Sequence, residues 1–227
     1  MIILAIDTSA KTASVAVATA DKILAEFTIP NGLTHSETLM PMVEQMLAIS
    51  GITKCQIGLL ATSAGPGSFT GLRIGAAVAK GLAMGLNLKI VPVSSLCALA
   101  YNVERENCVI VPMMDARRNQ VYTAVYCFCE GVMREISAPE ACDVEQILAK
   151  AAKIGNTAVF VGDGAVVYKE KILGAGFEIA PPHKILQSAA SVAMTAFARL
   201  GDAVSVEEFE LEYIRLSQAE RELLANG

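Results

Sequence analysis

Histidine is nearly absent from this chain of 227 residues: only His35 and His183 occur, and none of the six cysteines stands in a C-x-x-C pair. A zinc site assembled from His and Cys is set aside on that ground, and no metal ligand is expected. Cys127 and Cys129 would share one face of a strand. They and most of the others read as small buried hydrophobes in a reducing compartment. Charge is also scarce, at 18% of residues with a net −5, and no Lys/Arg cluster is longer than Arg117-Arg118. Neutralising phosphates dominates affinity for a nucleic acid backbone, so gripping RNA unaided is excluded. Long apolar runs are missing too, although 53% of residues are hydrophobic. No run approaches the ~18–20 residues of a membrane helix. The N-terminal MIILAID is broken by Asp7 and has no basic segment before it, so neither a signal peptide nor a membrane role is expected. The apolar surplus calls for burial at a subunit interface.

What the chain has is an α/β pattern. Residues 2–9, 13–19 and 22–29 alternate as three strands with short turns, an antiparallel meander. Thr34-His35-Ser36-Glu37 has capping-box spacing and predicts a helix to about Ser50, with Pro41 demanding a later start or a kink. A strand over 57–63, a helix to Leu86, a strand over 88–93 and a short helix over 94–101 follow. This order is the plan of one lobe of the actin, Hsp70 and sugar-kinase (ASKHA) superfamily. The polar stretch 102–107 divides a first lobe, 1–103, from a second, 104–227, whose C-terminal segment is expected to pack back on the first. Beyond it, strands are predicted at 108–114, 120–128 and 131–137, then a helix at 143–152 and a strand at 157–161. Helices at 165–173 and 187–200 come next, and residues 208–227 are charged and helix-prone towards their end.

Four segments carry chemistry. Asp7-Thr8-Ser9 lies between the first two strands, where a superfamily ATPase turns an acid and hydroxyls towards nucleotide phosphates; a plain turn uses the same residues. Gly65-Pro66-Gly67-Ser68-Phe69-Thr70-Gly71 opens a helix and reads as an anion-binding loop or a docking loop. The Lys-Ser/Thr ending of a P-loop is missing. In the helix behind it, Gly71, Gly75, Ala79 and Ala83 make one stripe of small residues and Ala77, Gly81 and Gly85 a second. Each interior glycine costs about 1 kcal/mol against alanine, so close approach of another backbone is expected to offset it. Asp115-Ala116-Arg117-Arg118-Asn119 stands where a second phosphate loop would, with bulky residues in place of glycines; a charged hairpin turn fits it as well. Asp7, Ser9, Gly67, Ser68 and Arg117 are therefore the cofactor-binding candidates. Ser68, Cys97, His35 and His183 have no spacing that makes a nucleophilic hydrolase.

Ala5-Ile6-Asp7-Thr8-Ser9, His35-Ser36-Glu37, the block from Gly65 to Gly75, Val93-Ser94-Ser95-Leu96 and Asp115-Ala116-Arg117-Arg118 occur in order. With Gly162-Asp163-Gly164-Ala165, Tyr213-Ile214-Arg215 and Ala219-Glu220, they resemble the TsaB (YeaZ) family of bacterial tRNA threonylcarbamoyladenosine (t6A) biosynthesis proteins across nearly the whole chain. The resemblance implies a cytoplasmic, non-catalytic subunit of the machinery that puts a threonylcarbamoyl group on the adenosine 3′ of the anticodon. The catalytic relative, TsaD, binds metal through paired histidines. The corresponding segment here has Ser94, Ser95 and Cys97 and no His, so no catalytic residue is expected. The implied partners are a TsaD-type subunit, a TsaE-type ATPase, tRNA through the complex, and a second copy of the chain when alone. Docking is expected through the helices at 36–50 and 71–86, by Leu39, Met42, Val43, Met46, Gly71, Ile74, Gly75, Val78, Ala79 and Leu82. No cofactor is expected to be held tightly by this chain, with ATP or ADP at the complex interface. The alternative expectation is an ATP-dependent small-molecule kinase of the same superfamily.

Overall fold

The computed structural model describes residues 1–30, 34–155 and 157–214. The chain opens with the expected meander, β1 (Ile2–Asp7), β2 (Ala13–Thr19) and β3 (Lys22–Ile29). The helix α1 (His35–Ser50) leads to β4 (Ile57–Gly65), then α2 (Phe69–Leu86), β5 (Ile90–Ser94) and α3 (Ser95–Tyr101). These strands form one sheet, ordered β3-β2-β1-β4-β5, antiparallel across the meander and parallel from β1 to β5. A second sheet holds β6 (Cys108–Asp115), β7 (Gln120–Cys129), β8 (Val132–Asp143), β9 (Ala158–Val161) and β10 (Glu178–Ile179), ordered β10-β9-β6-β7-β8. Around it lie α4 (Val144–Ile154), α5 (Asp163–Val167) and α6 (Lys169–Gly174), and α7 (Ala189–Phe197) is the last α-helix among the described residues. This repeated arrangement, with a crossing at 102–107, is the ASKHA plan.

Strands β1 and β2 are buried on both faces because helices cover both. Period 2 sends Leu4, Ile6, Val15 and Val17 towards α1 and α2, where they meet Leu39, Met42, Met46, Ala79 and Ala83. The opposite face, Ile3, Ala5, Ala16, Ala18 and Ala61, meets Ala189, Val192, Ala193 and Ala196 of α7. Alanine against alanine lets α7 lie close to β1, β2 and β4, which precede it by more than a hundred residues. Glu26 anchors that return: its Oε1 accepts from the Ser188 hydroxyl at 2.7 Å and from the Ala190 N–H at 3.1 Å, at the start of α7.

Several local expectations change. Thr34 is the N-cap of α1, but its side chain makes no cap bond; its carbonyl takes the N–H groups of Glu37 and Thr38 instead. The helix begins at His35 and contains Pro41, so the start is not delayed. It ends as expected at Gly51, whose φ of 69° suits glycine. The helix predicted over 165–173 is two, α5 and α6, divided at Tyr168. Strand β10 is too short for any sequence pattern to announce it. Residues 203–213 are not helical: Val204 bridges Ile90, Phe209 is buried in the first core, and Glu212 N–H donates to Ala64 O at 2.8 Å. They form a strap across the first sheet. The helical tendency expected further on, and Arg215, Ala219 and Glu220, lie outside the described residues. Among the described residues no helix is long and apolar enough to cross a membrane.

Candidate functional site

The glycine loop sits directly on the turn after β1. Thr8 Oγ1 donates to Gly71 O at 2.8 Å, and Ser68 N–H donates to Ser9 O at 2.7 Å. A Cβ on Gly67 would overlap Ser9 O; one on Gly71 would overlap Thr8 O, and one on Gly75 would overlap Thr8 Oγ1. These glycines are therefore required by contact inside the chain. At the loop's start Gly65 has φ +131°, and a side chain there would overlap the carbonyl of Glu212 from the strap.

Three of the N–H groups at this loop, those of Ser68, Gly71 and Leu72, are engaged within the chain. Ser68 caps α2 by accepting from Gly71 N–H at 3.3 Å, and Leu72 N–H goes to Ser68 O. Asp7 is wholly buried, and its Oδ1 accepts from Ser9 N–H (2.9 Å) and Ser9 Oγ (2.7 Å). Burial pushes its carboxyl up from the ordinary aspartate value, against the pull of Ser9, Ser63 and the nearby His35. Its Oδ2 is buried without a hydrogen-bond partner. His35 holds Ala10 O at 2.8 Å. The structure thus brings Asp7, Ser9, Gly67 and Ser68 together as one packed corner. Arg117 belongs to the β6–β7 hairpin of the other sheet, where its N–H donates to Asp115 Oδ1 at 2.9 Å.

That hairpin is tight and charged. Arg117, Arg118 and Asn119 all have left-handed φ (62°, 55° and 62°), a conformation glycine adopts without cost. Nearby, Asp163 at the start of α5 accepts from Gln187 Nε2 at 3.2 Å. Burial pushes its carboxyl up, and the charge of Asp115 pushes the same way. Among the described residues no group of three or more His, Cys, Asp or Glu is placed to hold a metal.

The docking residues divide differently from the sequence expectation. Leu39, Met42, Val43 and Met46 point into the core beside β1 and β2, and Gly71, Gly75 and Ala79 are pressed against the first sheet and its turn. None of these seven offers a surface, because the helices use that side to cover the chain's own sheet. Ile74, Val78 and Leu82 are half-buried beside that core. The outward face of α2 is the second stripe: Arg73, Ala77, Gly81, Met84 and Gly85 are exposed, Met84 at 69%. Among the described residues, a Cβ on Gly81 or Gly85 would meet nothing within 4 Å.

Beside this face, Arg73 lies 3.8 Å over the Phe69 ring, and its Nε donates to Tyr213 OH at 3.3 Å. Tyr213 in turn packs on Phe69 with ring centroids 5.1 Å apart. A groove of about 490 Å³ runs between helix and strap, lined by Arg73, Ala77, Lys80, Phe209, Leu211 and Tyr213. The packing roles of Thr8 and of the strap residues Glu212 and Tyr213 escape sequence reasoning. Thr8 was visible only as part of a turn, and nothing in the spacing links Tyr213 to Phe69.

Known proteins agree with this architecture. The family tRNA N6-adenosine threonylcarbamoyltransferase (TsaD) matches residues 22–218. A Bacillus subtilis protein named tRNA threonylcarbamoyladenosine biosynthesis protein TsaB is 32% identical, covering 97% of this chain and 96% of its own. The Escherichia coli protein of the same name is 32% identical over 98% of both chains. The structure called YeaZ from Pseudomonas aeruginosa superposes with a TM-score of 0.77 at 27% identity, covering 93% of this chain and 99% of its own. Identity at this level over the full described fold leaves one assignment: the chain belongs to the TsaB (YeaZ) family of tRNA threonylcarbamoyladenosine biosynthesis proteins.

Proposed function

We propose that this chain works in t6A biosynthesis as a docking subunit, holding a TsaD-type catalytic subunit through the outward face of α2 and contributing no catalytic group. One observation carries the reading. Gly81 lies inside an 18-residue helix, exposed, with nothing among the described residues requiring a glycine. It weakens the helix by about 1 kcal/mol without internal return, whereas close approach of a second helix would recover that cost. Ala77, Met84 and Gly85 extend the same smooth surface, and Arg73 and Lys80 are the only charges on α2.

The match to the TsaD family supports a partner of the same fold, since two related chains can pair through equivalent helices. The lack of histidine in 93–100 supports a non-catalytic role. A TsaE-type ATPase and tRNA are reached through the assembled complex, with ATP or ADP at its interface. In isolation the same face would serve a homodimer. The kinase alternative has less support, because the N–H groups of Ser68 and Gly71 are bound internally and Asp115 is followed by Ala, Arg and Arg.

Reconstitution tests the reading. With a TsaD-type subunit, a TsaE-type ATPase, threonylcarbamoyl donor, ATP and tRNA, omission of this chain is expected to abolish t6A formation, and the chain alone to produce none. Modification by the chain alone would refute a non-catalytic role.

A further inference from the structure

Cys127 and Cys129 bring their sulfur atoms to 2.8 Å at the end of β7. Period 2 puts both on the face that carries Val121 and Val125 deeper in the sheet, in the core shared with α4. Those valines are fully buried, but both cysteines are only half-buried. Small hydrophobes packed in a core would not need to touch through their sulfurs at an accessible strand end. The turn that follows, Glu130 (φ 54°) and Gly131 (φ 74°), is a two-residue hairpin loop. Its two N–H groups donate to the Glu106 carboxylate at 3.1 and 2.9 Å, which fixes the strand end. Across from Cys127 stand Val109 and Arg134, the latter paired with Glu130 at 3.1 Å; across from Cys129 stands Val132.

We propose that Cys127 and Cys129 form a dithiol modification site that hydroperoxide-class oxidants convert reversibly to a disulfide. Alternate residues of a strand lie about 6.4–6.8 Å apart at Cα. That is the upper edge of the Cα span a disulfide accepts, and the Cβ atoms must also close to about 3.5–4.5 Å. The bond therefore forms by buckling the strand end, which strains it and makes it readily reduced. The contact between the sulfurs pushes the Cys127 thiol up to about 11. That makes Cys127 the poorer nucleophile, and Cys129, at the end of the strand beside the exposed hairpin turn, is the sulfur placed to attack.

The Cys129 sulfur attacks one peroxide oxygen, the O–O bond breaks, and the departing oxygen takes the proton released by Cys129. Cys129 is left as a sulfenic acid. The Cys127 sulfur then attacks the Cys129 sulfur and displaces hydroxide, which leaves as water with the Cys127 proton. The two thiols lose two electrons, and the peroxide gains two, ending as one alcohol (or water) and one water.

The full chain carrying Cys55→Ser tests this, since Cys55 is exposed and would otherwise link copies. After hydrogen peroxide treatment, unfolding, alkylation and tryptic digestion, both cysteines fall in peptide 119–134. That peptide is expected to lose two hydrogens and take no alkyl label, while Cys97, Cys108 and Cys142 stay labelled. Dithiothreitol given before alkylation restores both labels. In Cys127→Ser the disulfide disappears, and Cys129 is trapped by dimedone as the sulfenic acid. Two alkylated cysteines in 119–134 after peroxide, or passage of Cys129 to sulfinic acid with no disulfide stage, would overturn the proposal.

Discussion

Alanine at Gly81 is expected to stabilise the isolated chain, and alanine at Gly75 to destabilise it, although both glycines lie inside α2. At Gly81 the new Cβ meets nothing within 4 Å and the backbone is ordinary helix. The change should therefore return about 1 kcal/mol of helix propensity. For a chain of this size that raises Tm by about 2–4 °C. Gly75 gains the same propensity, but its Cβ overlaps Thr8 Oγ1, which is buried and donates to Gly71 O. Overpacking costs about 1–3 kcal/mol and the strained hydrogen bond about 0.5–1.5 more, a net loss of roughly 0.5–3.5 kcal/mol. Urea unfolding of both variants reads these numbers. Thr8→Ala removes the opposing oxygen, so the double variant Thr8→Ala/Gly75→Ala should lose less than the two single losses added together. Equal stabilisation by Gly75→Ala and Gly81→Ala would refute the reasoning, because it would mean that α2 does not rest on the β1 turn.

Asp7→Asn keeps an oxygen for the Ser9 donors and puts an amide where Oδ2 has no partner. Because burial raises the folded carboxyl above its ordinary value of 3.8, Asp7's contribution to stability is complete below that value and is lost as pH rises through the raised one. The variant's advantage over the natural chain should thus be largest near neutral pH and shrink in mild acid. A loss independent of pH, in unfolding curves at both, would contradict it. Phe209→Ala should cost about 3–5 kcal/mol and release the strap, read as new proteolytic cleavage within 203–213; Phe209 is 3% exposed in the first core. Unchanged protease resistance would show that Glu212 and Tyr213 hold the strap without it.

The meander, the alternation of strands and helices and the glycine block were legible because periodicity and turn chemistry are local. The two stripes on α2 were legible as stripes, but not as inside and outside. Gly71 and Gly75 are glycines because Thr8 reaches them across the fold, while Gly81 and Gly85 face away. Both look alike in sequence. Leu39, Met42, Val43 and Met46 carry the period of any amphipathic helix, which serves a core as well as an interface. The strap was hidden for another reason. Its charged composition matches a solvated helix, and its contacts with the first sheet and α2, through Val204, Phe209, Leu211, Glu212 and Tyr213, are all made across the fold. Two arginines in left-handed backbone at 117–118 likewise defy local preference, so the turn after β6 could be placed but not shaped.

Affinity for the TsaD-type subunit measures the central claim most directly. Gly81→Trp puts a bulky side chain on the outward face of α2, where no described residue lies within 4 Å of the new Cβ. By contrast, a bulky residue at Gly75 or Ala79 would damage the core and report nothing about docking. In titration calorimetry the account predicts that Gly81→Trp keeps its circular dichroism spectrum and Tm yet binds the partner at least about tenfold more weakly, a loss of 1.4 kcal/mol or more. Unchanged affinity in the folded variant would contradict it.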